Sequence, residues 1–150
     1  MVIMRKRVFA ESIMISAMIL SAKAGNTDSL VVRVTDIVQP KGIIDLTVYK
    51  NDSAYMSDKY SYLNVTKAID SCKTKGSLDV PLLLPRGEYA IFVYQDINAN
   101  GKLELNFIGY PKEPFAFSRH FRPTLRAPKF NEISFSCKST RDTLVIPLMH

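Results

Sequence analysis

Tryptophan is absent from the 150 residues, and only two cysteines and two histidines occur. The other aromatic residues stand mostly at positions that the pattern assigns to the core, so that without tryptophan no aromatic platform for sugar rings is evident. The shortage of cysteine and histidine argues against a zinc or copper site, because those metals favour thiolate and imidazole ligands. Hydrophobic residues nonetheless make up 47% of the chain, which is enough for one domain with its own core and argues against global disorder.

A hydrophobic run long enough to cross a membrane is also missing. The apolar run 8–20 falls short of the roughly 20 residues that a span requires, and Glu11 interrupts it. It follows the basic residues 5–7 and precedes Ala-Lys-Ala at 22–24, which suits signal-peptide cleavage. We therefore predict that residues 1–24 are a secretory signal peptide and that the protein is periplasmic or secreted. The alternatives are a buried N-terminal helix and a retained membrane anchor, and no cysteine follows the run as a lipoprotein would need.

The positive charge of the chain is smaller than its formal value of +6 suggests. Removing residues 1–24 takes away four basic residues and Glu11, which leaves 16 Lys and Arg against 13 Asp and Glu. A net charge of +3 with interspersed signs does not indicate nucleic-acid binding. The local basic stretch is interpreted as a solvated loop; it contains Lys112, Arg119, Arg122, Arg126 and Lys129.

After residue 24 the apolar residues recur with a period near two, which is typical of half-buried strands. The alternating segments are 30–35, 44–49, 78–84, 133–138 and 144–148, and residues 89–94 are apolar on both faces, as in a central strand. The pattern predicts one all-β domain over residues 25–150, a single antiparallel β-sandwich of about seven strands.

Three further features of the pattern carry expectations of their own. Pro81 and Pro147 should lie on edge strands or at bulges, because proline cannot donate a hydrogen bond to a strand ladder. Residues 60–71 are assigned a short helix. Residues 104–131 contain four prolines and form one long excursion, and long loops on a small domain are often the functional part.

One segment carries oxygen donors at alternate positions: Asp96, Asn98, Asn100, the backbone carbonyl of Lys102, and Glu104. With Gly101 at position 6, this is the spacing by which an EF-hand loop surrounds calcium with oxygen. Position 12 is Phe107 rather than the usual bidentate glutamate, so Glu113 or Asp45 would have to complete the coordination. We expect a Ca²⁺ site of modest affinity, with a dissociation constant on the order of 10⁻⁴ to 10⁻³ M.

The alternative to a metal site is structural. Asparagine and aspartate side chains hydrogen-bond to the backbone of turns, and Asn-Gly favours a tight hairpin. The segment 96–104 is on that interpretation an Asx-rich hairpin with no ion.

The two cysteines suggest a disulfide. An oxidising compartment favours pairing of Cys72 with Cys137, since the mature chain has no third cysteine. Two separate thiols are the alternative, with Cys137 simply a core residue on the face of Ile133 and Phe135.

Three stretches together resemble a known family: residues 84–90 (Leu-Pro-Arg-Gly-Glu-Tyr-Ala), 94–103 (Tyr-Gln-Asp-Ile-Asn-Ala-Asn-Gly-Lys-Leu) and 109–118 (Gly-Tyr-Pro-Lys-Glu-Pro-Phe-Ala-Phe-Ser). Their succession is similar to the exported bacterial proteins of domain-of-unknown-function family 2141, and the likeness extends over residues 29–150. The resemblance implies a prealbumin-like β-sandwich and no established activity. Ala116 stands where the family pattern has glycine, and Gln95 stands where histidine is common. The Pro-Arg-Gly-Glu-Tyr element is also similar to collagen-adhesin B-type repeats.

The sequence thus predicts a non-enzymatic, exported β-sandwich module with a binding or structural role at the bacterial envelope and an unidentified ligand there. The competing hypothesis is a small envelope hydrolase that acts on carbohydrate or peptide through the acids Asp96, Glu104 and Glu113. Ser118 and His120 are two residues apart, which on a strand would place them on one face, but no nucleophile elbow accompanies them, so they are assigned to an exposed polar loop.

Overall fold

Two β-sheets pack face to face in the computed structural model, which describes residues 27–57, 61–70, 76–123, 126–138 and 142–150. The first sheet has three strands in the order β4 (Leu78–Pro85), β1 (Thr27–Thr35), β8 (Asp142–Pro147). The second has five strands: β3 (Leu63–Ala68), β2 (Ile43–Tyr49), β5 (Gly87–Asp96), β6 (Phe115–Phe117) and β7 (Phe135–Cys137). Two short helices, α1 (Asp52–Ser57) and α2 (Phe130–Ile133), lie in the connections. The predicted all-β sandwich is confirmed.

The topology differs from the prediction in one pairing and in the strand number. The described residues form eight strands rather than about seven, and β1 pairs in parallel with β8 while the other ladders are antiparallel. Strand β5 is central, since β2 lies along one edge and β6 and β7 share the other. Pro81 on β4 and Pro147 on β8 lie on the two edge strands of the first sheet, as their missing N–H groups require.

The predicted helix at 60–71 is wrong. Residues 63–68 form strand β3, in which Leu63, Val65 and Lys67 turn toward the protein and alternate with exposed residues. The strand pairs antiparallel with β2 from Ala68 opposite Ile43 to Leu63 opposite Val48. That ladder supplies backbone hydrogen bonds that outweigh a weak local preference for helix.

The core lies between the sheets and is built from the inward residues of each strand. From the five-stranded sheet come Ile44, Leu46, Val48, Tyr89, Ile91 and Val93, and from the three-stranded sheet Val32, Val80, Leu82, Leu84 and Ile146. Tyr89 is fully buried, and its hydroxyl donates to the backbone carbonyl of Pro85 at 2.8 Å. Burying an aromatic side chain with its hydroxyl satisfied contributes strongly to stability.

The start of β2 and the end of β5 approach each other closely at the end of the sheet that bears the loop 96–104. Gly42 has a φ of +84°, and a Cβ atom there would lie 2.1 Å from the carbonyl oxygen of Asp96. Only glycine therefore allows β2 to begin beside the end of β5. Among the described residues no helix is long and apolar enough to cross a membrane.

Two predictions fall on residues that the structure does not describe. The signal peptide, residues 1–24, lies wholly outside the described residues. Cys72 lies there as well, whereas Cys137 is buried at the end of β7 opposite Gly87. Signal cleavage and the Cys72–Cys137 disulfide remain predictions.

Candidate functional site

The loop that follows β5 is organised by the carboxylate of Asp96. Asp96 is 2% exposed, and its Oδ1 accepts a hydrogen bond from the N–H of Asn100 at 3.1 Å. Its Oδ2 accepts a second from the N–H of Gly101 at 2.7 Å. Gly101 has a φ of +73°, which glycine adopts without strain. The carboxylate of Asp96 therefore closes the loop by accepting hydrogen bonds from the backbone of Asn100 and Gly101.

The two asparagines of the loop converge on Glu104. The side-chain amide of Asn98 donates to Oε1 of Glu104 at 2.9 Å, and that of Asn100 donates to the same oxygen at 3.1 Å. Their own Oδ1 atoms accept from the backbone N–H groups of Asn100 at 3.1 Å and Lys102 at 2.8 Å. The structure thus brings the predicted site residues into one hydrogen-bonded loop. Each oxygen has further acceptor capacity, because a carboxylate or amide oxygen carries two lone pairs.

Of the two residues expected to complete the site, Glu113 joins the loop directly. It is 7% exposed; Oε1 accepts from the N–H of Ile97 at 3.1 Å and Oε2 from the N–H of Glu104 at 3.3 Å. Asp45 lies on β2, where the side-chain amide of Asn64 donates to it at 3.1 Å. Only Glu113 is therefore hydrogen-bonded to the loop.

The acids at this end of the sheet affect the pKa of Tyr94. The pKa of Tyr94 is raised to about 12, first by burial and then by the negative charges of Asp45, Asp96 and Glu113. Burial also raises the pKa of Asp45, against the lowering effect of hydrogen bonds from Asn64 and Thr47. Across the described part of the chain, no three Asp, Glu, His or Cys side chains gather as an ion-holding group. A cation at this loop would depend on asparagine and backbone oxygens as well.

The excursion after β5 covers the outer face of the five-stranded sheet with aromatic side chains. Ala90, Tyr94, Phe115, Phe117 and Ile133 form a second buried cluster there, separate from the core between the sheets. Ring centroids are 5.4 Å apart for Phe92 and Phe117 and 5.4 Å apart for Tyr110 and Phe115, within the range of favourable aromatic packing.

A groove of about 700 Å³ opens over this cluster. Its floor and walls include Tyr49, Tyr55, Phe92, Tyr110, Phe115 and Phe117. At one side the guanidinium of Arg126 lies 5.6 Å from the ring centre of Phe121 and forms a two-fold hydrogen bond with Glu132, both contacts 2.7 Å long. The pKa of Tyr55 is raised to about 12, first by burial and then by the negative charges of Glu132 and Asp52.

The sequence interpretation missed this groove because it assigned the aromatic residues to the core. The signal was present in β5, which is apolar on both faces and therefore needs a cover on its outer side. The alternation of Phe115 and Phe117 around Ala116 was a second signal, since the two rings share the outer face while Ala116 enters the main core.

A short hairpin at the rim of the groove, residues 104–112, projects two apolar side chains into solvent. Its arms are joined by the bond from Lys112 N–H to the Glu104 carbonyl, 2.8 Å, and by a bridge between Leu105 and Pro111. At the tip, Phe107 is 98% exposed and Ile108 is 70% exposed.

Ser118, which the sequence analysis considered as a nucleophile, connects two elements of the fold. Ser118 is 5% exposed rather than part of an exposed loop, so that assignment is wrong for Ser118, while His120 is exposed. The Ser118 hydroxyl accepts from the N–H of Ile91 at 2.9 Å and donates to the carbonyl of Ile133. It ties β5 to α2.

Comparison with known proteins gives one match. Residues 32–144 match the family model DUF2141, described as an uncharacterized protein conserved in bacteria. No curated protein and no solved structure matches the chain significantly. The match covers most of the chain and includes both the loop at Asp96 and the aromatic groove, and on that basis the protein belongs to the DUF2141 family.

Proposed function

We propose that this protein is an exported binding module of the bacterial envelope whose aromatic groove holds an apolar ligand. The observation that carries the proposal is the groove over the outer face of β2, β5 and β6, lined by rings and about 700 Å³ in volume. Small-molecule sites are commonly concave, mostly apolar and about 300–1,000 Å³ in size. The basic start, apolar run and Ala-Lys-Ala of residues 1–24 support export.

Calcium is the second component of the proposal. The loop 96–104 and Glu113 form the root of the excursion that makes one wall of the groove, and Asp96 stands at the end of a strand buried along most of its length. A rigid base lowers the entropic cost of collecting oxygen ligands from the turn. Asp96, Asn98, Asn100, Glu104 and the Lys102 carbonyl would hold the ion, with Glu113 beside them, and the ion would supply positive charge among these oxygens. Calcium would then set the position of the groove wall.

The competing hydrolase hypothesis finds no specific support in the geometry. An acid pair for glycoside hydrolysis must face an open cleft. Asp96 and Glu113 are instead buried, and both carboxylates accept backbone N–H groups. The groove is lined by aromatic, aliphatic and proline side chains with Arg126 at one side, and the described residues that line it include no acid, serine or histidine.

An apolar fluorescent naphthylamine dye tests the groove. Leu105→Asp places a charge at the rim of the groove, so we expect dye affinity to fall at least tenfold because of the cost of desolvating a carboxylate. Leu83→Asp is the matched control, since Leu83 is 70% exposed on β4, on the other sheet. Equal dye binding by the wild type and both variants would contradict the proposal.

A further inference from the structure

The hairpin 104–112 is built to hold its apolar tip rigidly in solvent. The Oδ1 atom of Asn106 accepts the N–H of Ile108 at 3.0 Å and the N–H of Tyr110 at 2.9 Å. The carbonyl of Asn106 accepts the N–H of Gly109 at 3.0 Å. These bonds fix the turn, which leaves Phe107 almost fully exposed, while Ile108, 70% exposed, also lines the edge of the groove. Contiguous exposed apolar residues on a rigid support mark an interaction site.

The charges of the segment that carries the tip favour an anionic partner. All six Lys and Arg side chains of the segment 97–133 are exposed: Lys102, Lys112, Arg119, Arg122, Arg126 and Lys129. Its three glutamates are half-buried or buried, and each accepts hydrogen bonds within the protein: Glu104 from asparagine amides, Glu113 from backbone, Glu132 from Arg126. The segment contains no aspartate. The segment that carries the tip therefore presents basic side chains to solvent, while its acidic side chains are engaged within the protein.

The dimensions of the hairpin fit a lipid bilayer. Lys112 ends the second arm of the hairpin and Lys102 lies two residues before the first arm, so that each stands five residues from Phe107. The tip extends about three residues beyond the bond between Lys112 and Glu104, which is roughly 10 Å. Interfacial segments bury their apolar side about 5–10 Å into the headgroup region, and flanking lysines reach phosphates from there.

We propose that Phe107 and Ile108 insert into the surface of an anionic phospholipid bilayer, with the basic side chains of the excursion at the headgroups. The proposal does not depend on the ligand of the groove. Since the chain has no tryptophan, Phe107→Trp introduces a single reporter at the tip, and Leu83→Trp introduces one at a comparably exposed position on the other sheet.

The experiment uses protein purified from the exported fraction and vesicles of phosphatidylcholine with or without roughly one-quarter phosphatidylglycerol. We expect Phe107→Trp emission to shift to shorter wavelength with the anionic vesicles alone, and Leu83→Trp emission to stay unchanged. Raising NaCl from about 50 to about 500 mM should release most of the bound protein, because salt screens the attraction to the headgroups.

Two serine variants separate insertion from charge attraction alone. Phe107→Ser should weaken partition into anionic vesicles at least tenfold, the expected effect of losing a buried phenyl ring, whereas Leu83→Ser should leave it unchanged. Equal binding by Phe107→Ser, or an unshifted Phe107→Trp spectrum in bound protein, would overturn insertion. A blue shift that grows with protein concentration without vesicles would assign the tip to self-association instead.

Discussion

Glu113 accepts a hydrogen bond from the backbone N–H of Ile97, 3.1 Å away and 16 residues earlier in the chain. Its second oxygen accepts the N–H of Glu104, so one buried carboxylate connects both ends of the loop 96–104 to the segment between the hairpin 104–112 and β6. Every proposed functional element, the calcium loop, the groove wall and the projecting tip, is attached at this point.

Glu113→Ala should destabilise the fold by about 2–3 kcal/mol, because it leaves two N–H groups without their charged acceptor. Urea unfolding measures the loss, and amide exchange at Ile97 and Glu104 should accelerate together. Asp79→Ala is the control, since Asp79 forms a solvent-exposed ion pair with Arg33, and exposed pairs contribute little to stability. Equal stability losses for the two variants would contradict the anchoring role of Glu113.

Calcium should raise the melting temperature relative to chelator, and at a hundredfold excess over the dissociation constant the stabilisation is about 2.7 kcal/mol. Asp96→Ala should abolish this increment, and Asn98→Ala should reduce it less. Asn106→Ala disrupts the other asparagine-fixed turn and should lower the baseline while keeping the calcium increment. No shift with millimolar calcium, together with no binding heat in calorimetry, would identify the loop as an Asx-rich hairpin.

Ser118→Ala should cost about 1–3 kcal/mol, because the N–H of Ile91 and the carbonyl of Ile133 lose a partner inside the protein. The midpoint of urea unfolding measures it. Ser136→Ala, at an exposed position on β7, should change stability by less than about 0.5 kcal/mol. A neutral result for Ser118→Ala would argue against its structural role.

The stability of the protein should fall as the pH rises from about 10 to about 12. Tyr55 has its pKa raised to about 12 by burial and by the charges of Glu132 and Asp52, whereas an unfolded tyrosine ionises near 10. The folded state therefore retains the phenolic proton to higher pH, and this contribution to stability is complete below about pH 10 and is lost as the pH rises through about 12. In a pH titration followed by phenolate absorbance, Tyr55→Phe should lack one of the tyrosines that ionise near pH 12 in the folded wild type. In denaturant, the absorbance difference between wild type and variant should appear near pH 10 instead.

Mass spectrometry of the exported protein should show an N-terminus at Gly25 and, in non-reducing conditions, a Cys72–Cys137 disulfide. The bond would stabilise the fold by roughly 4 kcal/mol in the chain-entropy model. Unprocessed protein in the cytosol would contradict export. Alkylation of both cysteines without reductant would contradict the disulfide.

The sequence by itself determined the sandwich, because alternating apolar residues have to face a common core. It also located the loop at Asp96, whose oxygen donors are close in sequence and need no distant partner to be recognised. The edge positions of Pro81 and Pro147 followed from the missing N–H group alone.

Tertiary structure decided the features that depend on pairing between distant segments. Strand β3 forms because its backbone can hydrogen-bond to β2. The parallel pairing of β1 with β8 brings together two strands that lie near opposite ends of the domain sequence. The groove arises because the outer face of β5 is covered by a later segment, which places Phe92 beside Phe117. Periodicity reports that a face is apolar, but which surface covers it is fixed only when the chain folds back.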